Sequence, residues 1–311
     1  MGWGVLLALV LLLAGGTTVR PLVRSVDEPR PFAADSPVNE PIPLRAEVDP
    51  HSAAMVARAT RTGTVAANLY AYGVPIYRAA PADPTYLVRC TREDEWGPCP
   101  LSNGPRRIPA DARPSAGTDG AMAVVQPDGM VDEYWQARRA GLGWTASFGA
   151  VNALSGSGWG GASTGSGASR LAGVVRVAEV RDGVIDHALV VQSDTVCAGI
   201  FRPPALKTDG TSRRSDCLPE GSRLQLDPSI DLDSLGDLTP AERAVGRALQ
   251  VYGAYVIDQS GAPLSMSFET APDATAGWPG TVYTRAGLAH DYSGMPHLPW
   301  SALRVLERWD G

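Results

Sequence analysis

The stretch AMAVVQPDGMVDEYWQARRAGLGWTASF, residues 121–148, decides the fold. Ala121 to Gln126 is a short, valine-bearing apolar run, which suits a strand. Pro127-Asp-Gly129 is a turn signal, because Pro presets φ and Gly accepts the backbone angles that tight turns need. Val131 to Arg138 reads as a second strand. After Ala140-Gly-Leu-Gly143, the run Trp144 to Phe148 reads as a third. Three strands joined by short turns make an antiparallel meander.

Working outward, further strands are expected at Ala71–Tyr77, Thr85–Cys90, Ala172–Val180, Ile185–Gln192 and Gly199–Arg202. Ala254–Asp258 and Leu264–Phe268 read as a hairpin around Gln259-Ser-Gly-Ala262. Thr239-Pro-Ala-Glu242 is a capping box with Pro at the first helical position, and Val245, Ala248, Leu249 and Tyr252 then share one helix face. Asp49-Pro50 opens a short helix that Gly63 can close, and a last one starts at Pro299. Strand–helix alternation is lacking, so a doubly wound parallel sheet is not expected. The fold class is mostly β, an antiparallel β-sandwich or jelly roll with a few peripheral short helices.

The chain has 311 residues, 34 Gly and 26 Pro, a composition that favours short strands and turns over long helices. Its net charge of -6 argues against a nucleic-acid partner, which would need a basic stripe. Trp3 to Val19 is uncharged and mostly apolar, with a Leu-rich core from Val5 to Ala14 followed by small residues. Residues 1–19 are therefore read as a signal peptide or an N-terminal anchor. The protein is expected to be secreted or held at the cell surface, touching a membrane only through such an anchor. Pro21, Pro29, Pro31, Pro37, Pro41 and Pro43 make 20–43 a Pro-rich linker, which leaves 44–311 as a single β-sandwich domain.

Four cysteines, an even count in an exported chain, point to disulfides. Three pairings are open. Cys90 with Cys99 and Cys197 with Cys217 each close a local Pro- or Gly-bearing loop and are favoured. Zinc is the competing reading, but CxxC spacing and a nearby His are both missing.

Alternation on Val131–Arg138 puts Glu133 and Trp135 on one face. An indole can stack on the apolar face of a sugar while a carboxylate two residues away binds hydroxyls or moves a proton. The plain alternative is a solvated Glu beside a core Trp. His187 lies between Ile185 and Leu189, as a satisfied core residue or as a base at a cleft edge whose partner is Glu133, Asp119 or Glu179. Residues 155–167 form a Gly/Ser-rich loop, read as a lid with Trp159 at its tip. Within it Gly161-Ala-Ser-Thr-Gly165 matches the nucleophile elbow at Ser163, with His297 or His290 as base. Its flanks form neither the strand nor the helix that motif requires. Gly156, Gly158 and Gly161 match a dinucleotide fingerprint without its βαβ setting. Asp227, Asp231, Asp233 and Asp237 suggest a calcium loop, although the spacing and terminal Glu of an EF-hand are missing. No other cofactor is expected. Lys207 and Asp209 stand in a polar loop that can hold a ligand or serve as an ordinary turn.

Several blocks occur together: Gly117-Thr-Asp-Gly-Ala121, Glu133-Tyr-Trp-Gln136, Thr164-Gly-Ser-Gly-Ala-Ser-Arg-Leu-Ala-Gly173, His187-Ala-Leu189, Arg202-Pro-Pro-Ala205 and Lys207-Thr-Asp-Gly-Thr-Ser212. The combination resembles a widespread group of secreted bacterial β-rich hypothetical proteins without an established reaction. The resemblance spans roughly residues 40 to 260. It implies an exported β-rich domain with recurring polar positions at Asp119, Glu133, Gln136, His187 and Lys207.

The leading expectation is a protein acting on or binding a polysaccharide or cell-envelope glycan. As a glycoside hydrolase it would use Glu133 as acid/base with Asp119 or Glu179 as second carboxylate. As a polysaccharide lyase it would use His187 as base, with Gln136 and Lys207 neutralising a uronate. Trp135, Gln136, Trp159, Lys207 and Asp209 are the expected substrate contacts. The alternatives are a non-catalytic surface module that binds glycan or protein, and a serine hydrolase using Ser163.

Overall fold

The computed structural model describes residues 30–161 and 163–307. The signal peptide or anchor expected over 1–19, and 20–29 of the expected linker, lie outside the described residues. Among the described residues the fold is mostly β, with 29% strand, 16% helix and five short helices. No helix among the described residues is long and apolar enough to cross a membrane.

The meander at 121–148 forms, with a shift. Met122–Val125 pairs antiparallel with Met130–Trp135 across the Pro127-Asp-Gly129 turn, where Gly129 has φ 83°. The third strand is Phe148–Ala153 and not Trp144–Phe148. Gly143–Ala146 instead joins Arg138–Ala140 and Val88–Cys90 in a separate three-stranded sheet. The cause is local. Gln136 takes a positive φ of 55° and its amide donates to the Asp119 carbonyl, 2.6 Å away, so the chain leaves the strand there. Ile76–Arg78 adds a parallel fourth strand to the meander sheet.

The larger sheet has seven strands in the order Ser293–Gly294, Ala66–Asn68, Ser265–Ser267, Leu189–Ser193, Ala254–Gln259, Arg223–Leu226 and Leu303–Val305. It is mixed, which corrects the all-antiparallel expectation: Ala66–Asn68 runs parallel to Ser265–Ser267, and Leu189–Ser193 parallel to Ala254–Gln259. The hairpin expected at 254–268 therefore does not close, because Leu189–Ser193 lies between its two strands. Ala172–Val180 is also not a strand. Its second half is the helix Val177–Asp182, whose first turn is fixed by the Glu179 carboxylate accepting from the Arg176 amide at 2.8 Å.

Alternation along the strands sorts the cores. Val190, Tyr255 and Ile257 of the large sheet meet Ala123, Val125 and Val131 of the meander sheet. The opposite side chains, Leu189, Val191, Ala254 and Val256, pack on Val245 and Leu249 of the helix Pro240–Val251. On the far side of the meander, Met122, Val124 and Tyr134 pack on Trp144 and the Cys90–Cys99 disulfide. Cys197 and Cys217 form the second disulfide, so both favoured pairings occur and neither leaves thiolates for zinc. Two disulfides are consistent with an extracytoplasmic protein. Residues 30–43, expected as linker, lie against the body: Phe32, Val38 and Ile42 are buried, and the Ile42 amide donates to the Val251 carbonyl.

The capping box at Thr239 is present, with the Glu242 amide donating to Thr239 Oγ1 at 3.2 Å and the Thr239 amide to Glu242 Oε2 at 2.9 Å. Thr239→Ala should therefore cost about 1 kcal/mol, because the Glu242 amide loses its acceptor. Urea unfolding followed by circular dichroism checks this, and an unchanged midpoint would contradict it.

Candidate functional site

Two adjoining hollows, of about 650 and about 600 Å3, share one wall. Asp119, Thr164, Arg170, Asp209, Asp258 and Gln259 line both. The far side of the first is aromatic. Trp96 stacks on Trp135 with ring centroids 5.5 Å apart and planes 23° from parallel, and Phe148 stands edge-on beneath Trp96. The far side of the second carries Tyr72 and Tyr292. The carboxylates thus lie between two aromatic walls.

Each wall residue has a local cause. Asp119 sits in the 117–120 turn, fixed by the Gln136 and Ala137 amides donating to the Asp119 and Gly120 carbonyls. Asp258 follows the buried run Ala254–Ile257 near the end of its strand and accepts from the Gly165 amide at 3.0 Å. Asp209 accepts from the Gln259 amide at 3.0 Å, and its own amide donates to Glu220 Oε2 at 3.2 Å. Gly165 is required by this packing: a Cβ there would stand 2.5 Å from Asp209 Oδ1 and 2.6 Å from Glu220 Oε1.

The segment 163–170 carries Thr164, Gly165 and Arg170 to the wall, and Glu133 holds it. Glu133 is fully buried. One carboxylate oxygen accepts from Asn152 Nδ2 at 3.0 Å and from the Ser169 hydroxyl. The other accepts from the Arg170 amide at 2.9 Å and from the Ser163 hydroxyl. Four donors fill both oxygens, so no substrate reaches them. This corrects the expectation of Glu133 as acid/base: it is a positioning group behind the cleft.

His187 is corrected in the same way. It is buried, with Nδ1 2.8 Å from the Ala188 carbonyl oxygen and Nε2 3.0 Å from Glu179 Oε1. The pair ties the helix Val177–Asp182 to the chain entering Leu189–Ser193, and neither residue lines the cleft. Burial works to lower the His187 pKa, but the Glu179 charge and both hydrogen bonds carry it above its ordinary value. Burial works to raise Glu179, but the His187 charge and hydrogen bond and the Arg176 amide hold it below its ordinary value.

Of the remaining expected contacts, Trp135, Lys207 and Asp209 line the first hollow together with Asp119. Gln136 does not line it; its Oε1 accepts from the Ser147 hydroxyl at 2.5 Å. Trp159 is not a lid tip. It packs edge-on against Tyr255 at 5.6 Å, inside the core between the sheets. Ser163 lines the cleft, but its hydroxyl donates to Glu133, while His297 is engaged with Glu242 at 2.8 Å. The described flanks of Ser163, residues 154–161 and 163–170, hold neither the strand nor the helix of a nucleophile elbow, so the structure lends the serine hydrolase reading no support. The calcium loop falls: Asp227 accepts from Ser229, Asp231 caps the turn at Asp233, and Asp233 pairs with Arg243 and Arg247.

Asp258, Arg170, Glu220, Trp96, Tyr72 and Tyr292 were not singled out from the sequence. The missed signal for Asp258 is an acid ending a fully apolar run. Burial raises its pKa well above the carboxylate range, the Asp209 charge adds to this, and Arg170 opposes it. Burial likewise pushes Glu220 up to about 8, opposed by the polar Thr208 hydroxyl nearby and aided by the Asp209 charge. One oxygen from each of Asp209, Glu220 and Asp258 lies within 4.8 Å of the others, a set that could hold a cation. The cleft offers ring stacking, acid–base groups, and two cations, Arg170 and Lys207.

No protein-family model matches the chain, and neither a curated protein nor a solved structure shows significant similarity to it.

The raised His187 pKa has a definite sign. Its contribution is fully present below the unfolded value near 6.5 and is lost as pH rises through the higher folded value. On the acid side, the lowered Glu179 pKa gives a contribution that is fully present above the unfolded value near 4.5 and is lost as pH falls through the lower folded value. His187→Gln should therefore cost on the order of 3 kcal/mol near neutrality, the range for breaking a buried pair. The gap to wild type should shrink toward alkaline pH. Urea unfolding of both proteins from about pH 5.5 to about pH 9 reads this, and a pH-independent gap would contradict it.

Proposed function

We propose that this chain is an exported protein that takes a glycan into the cleft and cleaves it by acid–base chemistry. The observation that supports this most is the stacked Trp96–Trp135 pair facing a wall of carboxylates and two cations across about 650 Å3. A pyranose has an apolar C–H face that stacks on indole, and hydroxyls around its rim that bind charged groups. Trp96 is 52% exposed, so part of the pair's ring surface is open to a ligand. The Arg92 guanidinium also lies over the Trp96 ring, 5.8 Å from its centroid.

Asp119 is the carboxylate in touch with this platform, with Trp135 Nε1 donating to its Oδ1 at 3.4 Å. It is part-exposed on the cleft wall, where a substrate can meet it. In this reading Asp119 moves the proton. Lys207, held by donation of its amine to the Thr164 carbonyl at 2.8 Å, and Arg170 bind hydroxyls or acidic groups of the sugar. The β-sandwich reading of the fold belongs with this proposal, supported by the packing of Val190, Tyr255 and Ile257 of the large sheet on Ala123, Val125 and Val131 of the meander sheet.

The test is a panel of peptidoglycan sacculi, arabinogalactan, xylan, pectate and alginate, assayed for binding, new reducing ends and new unsaturation. On the substrate that is cut, Asp119→Asn should lower kcat by about a hundredfold or more. Trp96→Ala should weaken binding about tenfold and leave kcat less affected. Binding without turnover would assign the cleft to a non-catalytic glycan module. Neither binding nor turnover on any member would overturn the proposal.

A further inference from the structure

We infer that Asp209, Glu220 and Asp258 form a divalent-cation site in the cleft wall, with calcium as the ion that fits it. The donors are carboxylate oxygens alone, the set taken by hard cations. Oxygens within 4.8 Å of one another can share one ion through bonds of about 2.3–2.6 Å, the calcium range. Magnesium, with bonds of about 2.1 Å, favours a stricter octahedron and keeps several waters, so a set of three protein carboxylates suits it less.

A second observation, separate from the clustering, points to a ligand. Glu220 is fully buried, and its Oε1 has no hydrogen-bond partner among the described residues, because the nearby Thr208 hydroxyl donates to the Cys197 carbonyl instead. The other oxygen, Oε2, accepts from the Asp209 amide. A buried carboxylate oxygen left without a donor is rare, because its lost hydration must be replaced by something. This oxygen is aimed at the cluster. Oε1 of Glu220 and Oδ1 of Asp209 both approach the same point beside Gly165, 2.6 and 2.5 Å from where a Cβ would stand. The nearby cation does not fill the gap: the Lys207 amine donates to the Thr164 carbonyl and makes no hydrogen bond to Oε1.

The local charge agrees. Four carboxyl groups, those of Asp119, Asp209, Asp258 and Glu220, stand against two cations, Arg170 and Lys207. Binding an ion would displace the protons that burial favours on Glu220 and Asp258, and with all four ionised two negative charges remain, which one divalent ion balances. Asp209 is exposed, so the site opens to solvent and can fill from outside. The inference does not depend on glycan cleavage, because ion binding is read directly.

The experiment uses the exported chain, stripped with a chelator and titrated with calcium chloride by isothermal calorimetry, with magnesium chloride in parallel. One calcium per chain is expected, with a dissociation constant at or below about 1 mM, the range of extracellular calcium modules. Thermal unfolding should move upward with calcium. Glu220→Gln should weaken binding at least about tenfold, the loss of one charged ligand. Asp209→Asn, at an exposed position, should do the same if Glu220→Gln fails to fold. Asp233→Asn, in the acidic loop, should bind as wild type. Absence of both heat and a Tm shift up to about 10 mM calcium would overturn the inference. Equal affinity in wild type and in both ligand variants would overturn it too.

Discussion

The buried carboxylate of Glu133 is the constraint on which the cleft depends. A charge taken fully out of water is tolerated only when its oxygens are hydrogen-bonded. Here the donors come from three places: Asn152 on the neighbouring strand, two serine hydroxyls, and the Arg170 backbone. Two of those places lie in 163–170, a Gly/Ser-rich stretch with little apolar surface of its own. Hydrophobic burial gives such a segment weak hold, so a charge-assisted network must supply the order. Anchored in this way, the stretch places Thr164, Gly165 and Arg170 against Asp209 and Asp258. The glycines that read as flexibility in the sequence are here close-contact positions. At Gly161 a Cβ would meet Ala150 and Asn152, and at Gly165 it would meet two carboxylates.

The same chemistry appears twice with opposite outcomes. At Glu133 the buried charge is saturated by donors and the group becomes structural. At Glu220 an equally buried carboxyl has one oxygen with no partner, and its proton affinity rises. Both acids are fully buried, and what differs is the number of donors around their oxygens. For this reason Glu220 is the acid with room for a further ligand, and the most thoroughly bonded acids, Glu133 and Glu179, hold the frame.

Local patterns in the sequence were legible where the chain decides its own structure. The Pro127-Asp-Gly129 turn, the capping box at Thr239 and both disulfide pairings rest on short-range geometry, and each is present. Strand partners were less legible, because pairing is a long-range choice. Nothing in 254–268 marks that Leu189–Ser193 inserts between its two strands. Within the site, Asp119, Trp135, Lys207 and Asp209 were reached from spacing and from recurring blocks, and they do share the cleft. Glu133 and His187 were rightly singled out as unusual, but a buried charge on a strand looks the same in sequence whether it faces substrate or a hydrogen-bonded loop. Asp258, Glu220 and Arg170 were missed because only the fold brings 170, 209, 220 and 258 together.

Amide hydrogen exchange in the segment 163–171 tests the role of Glu133 most directly, comparing wild type with Glu133→Gln. Replacing one carboxylate oxygen by an amide nitrogen removes an acceptor and sets donor against donor, so part of the network must open. The account predicts that the Arg170 amide and its neighbours exchange at least about tenfold faster in the variant, while the helix Pro240–Val251 keeps its protection. Unchanged protection of 163–171 in a folded Glu133→Gln protein would contradict it.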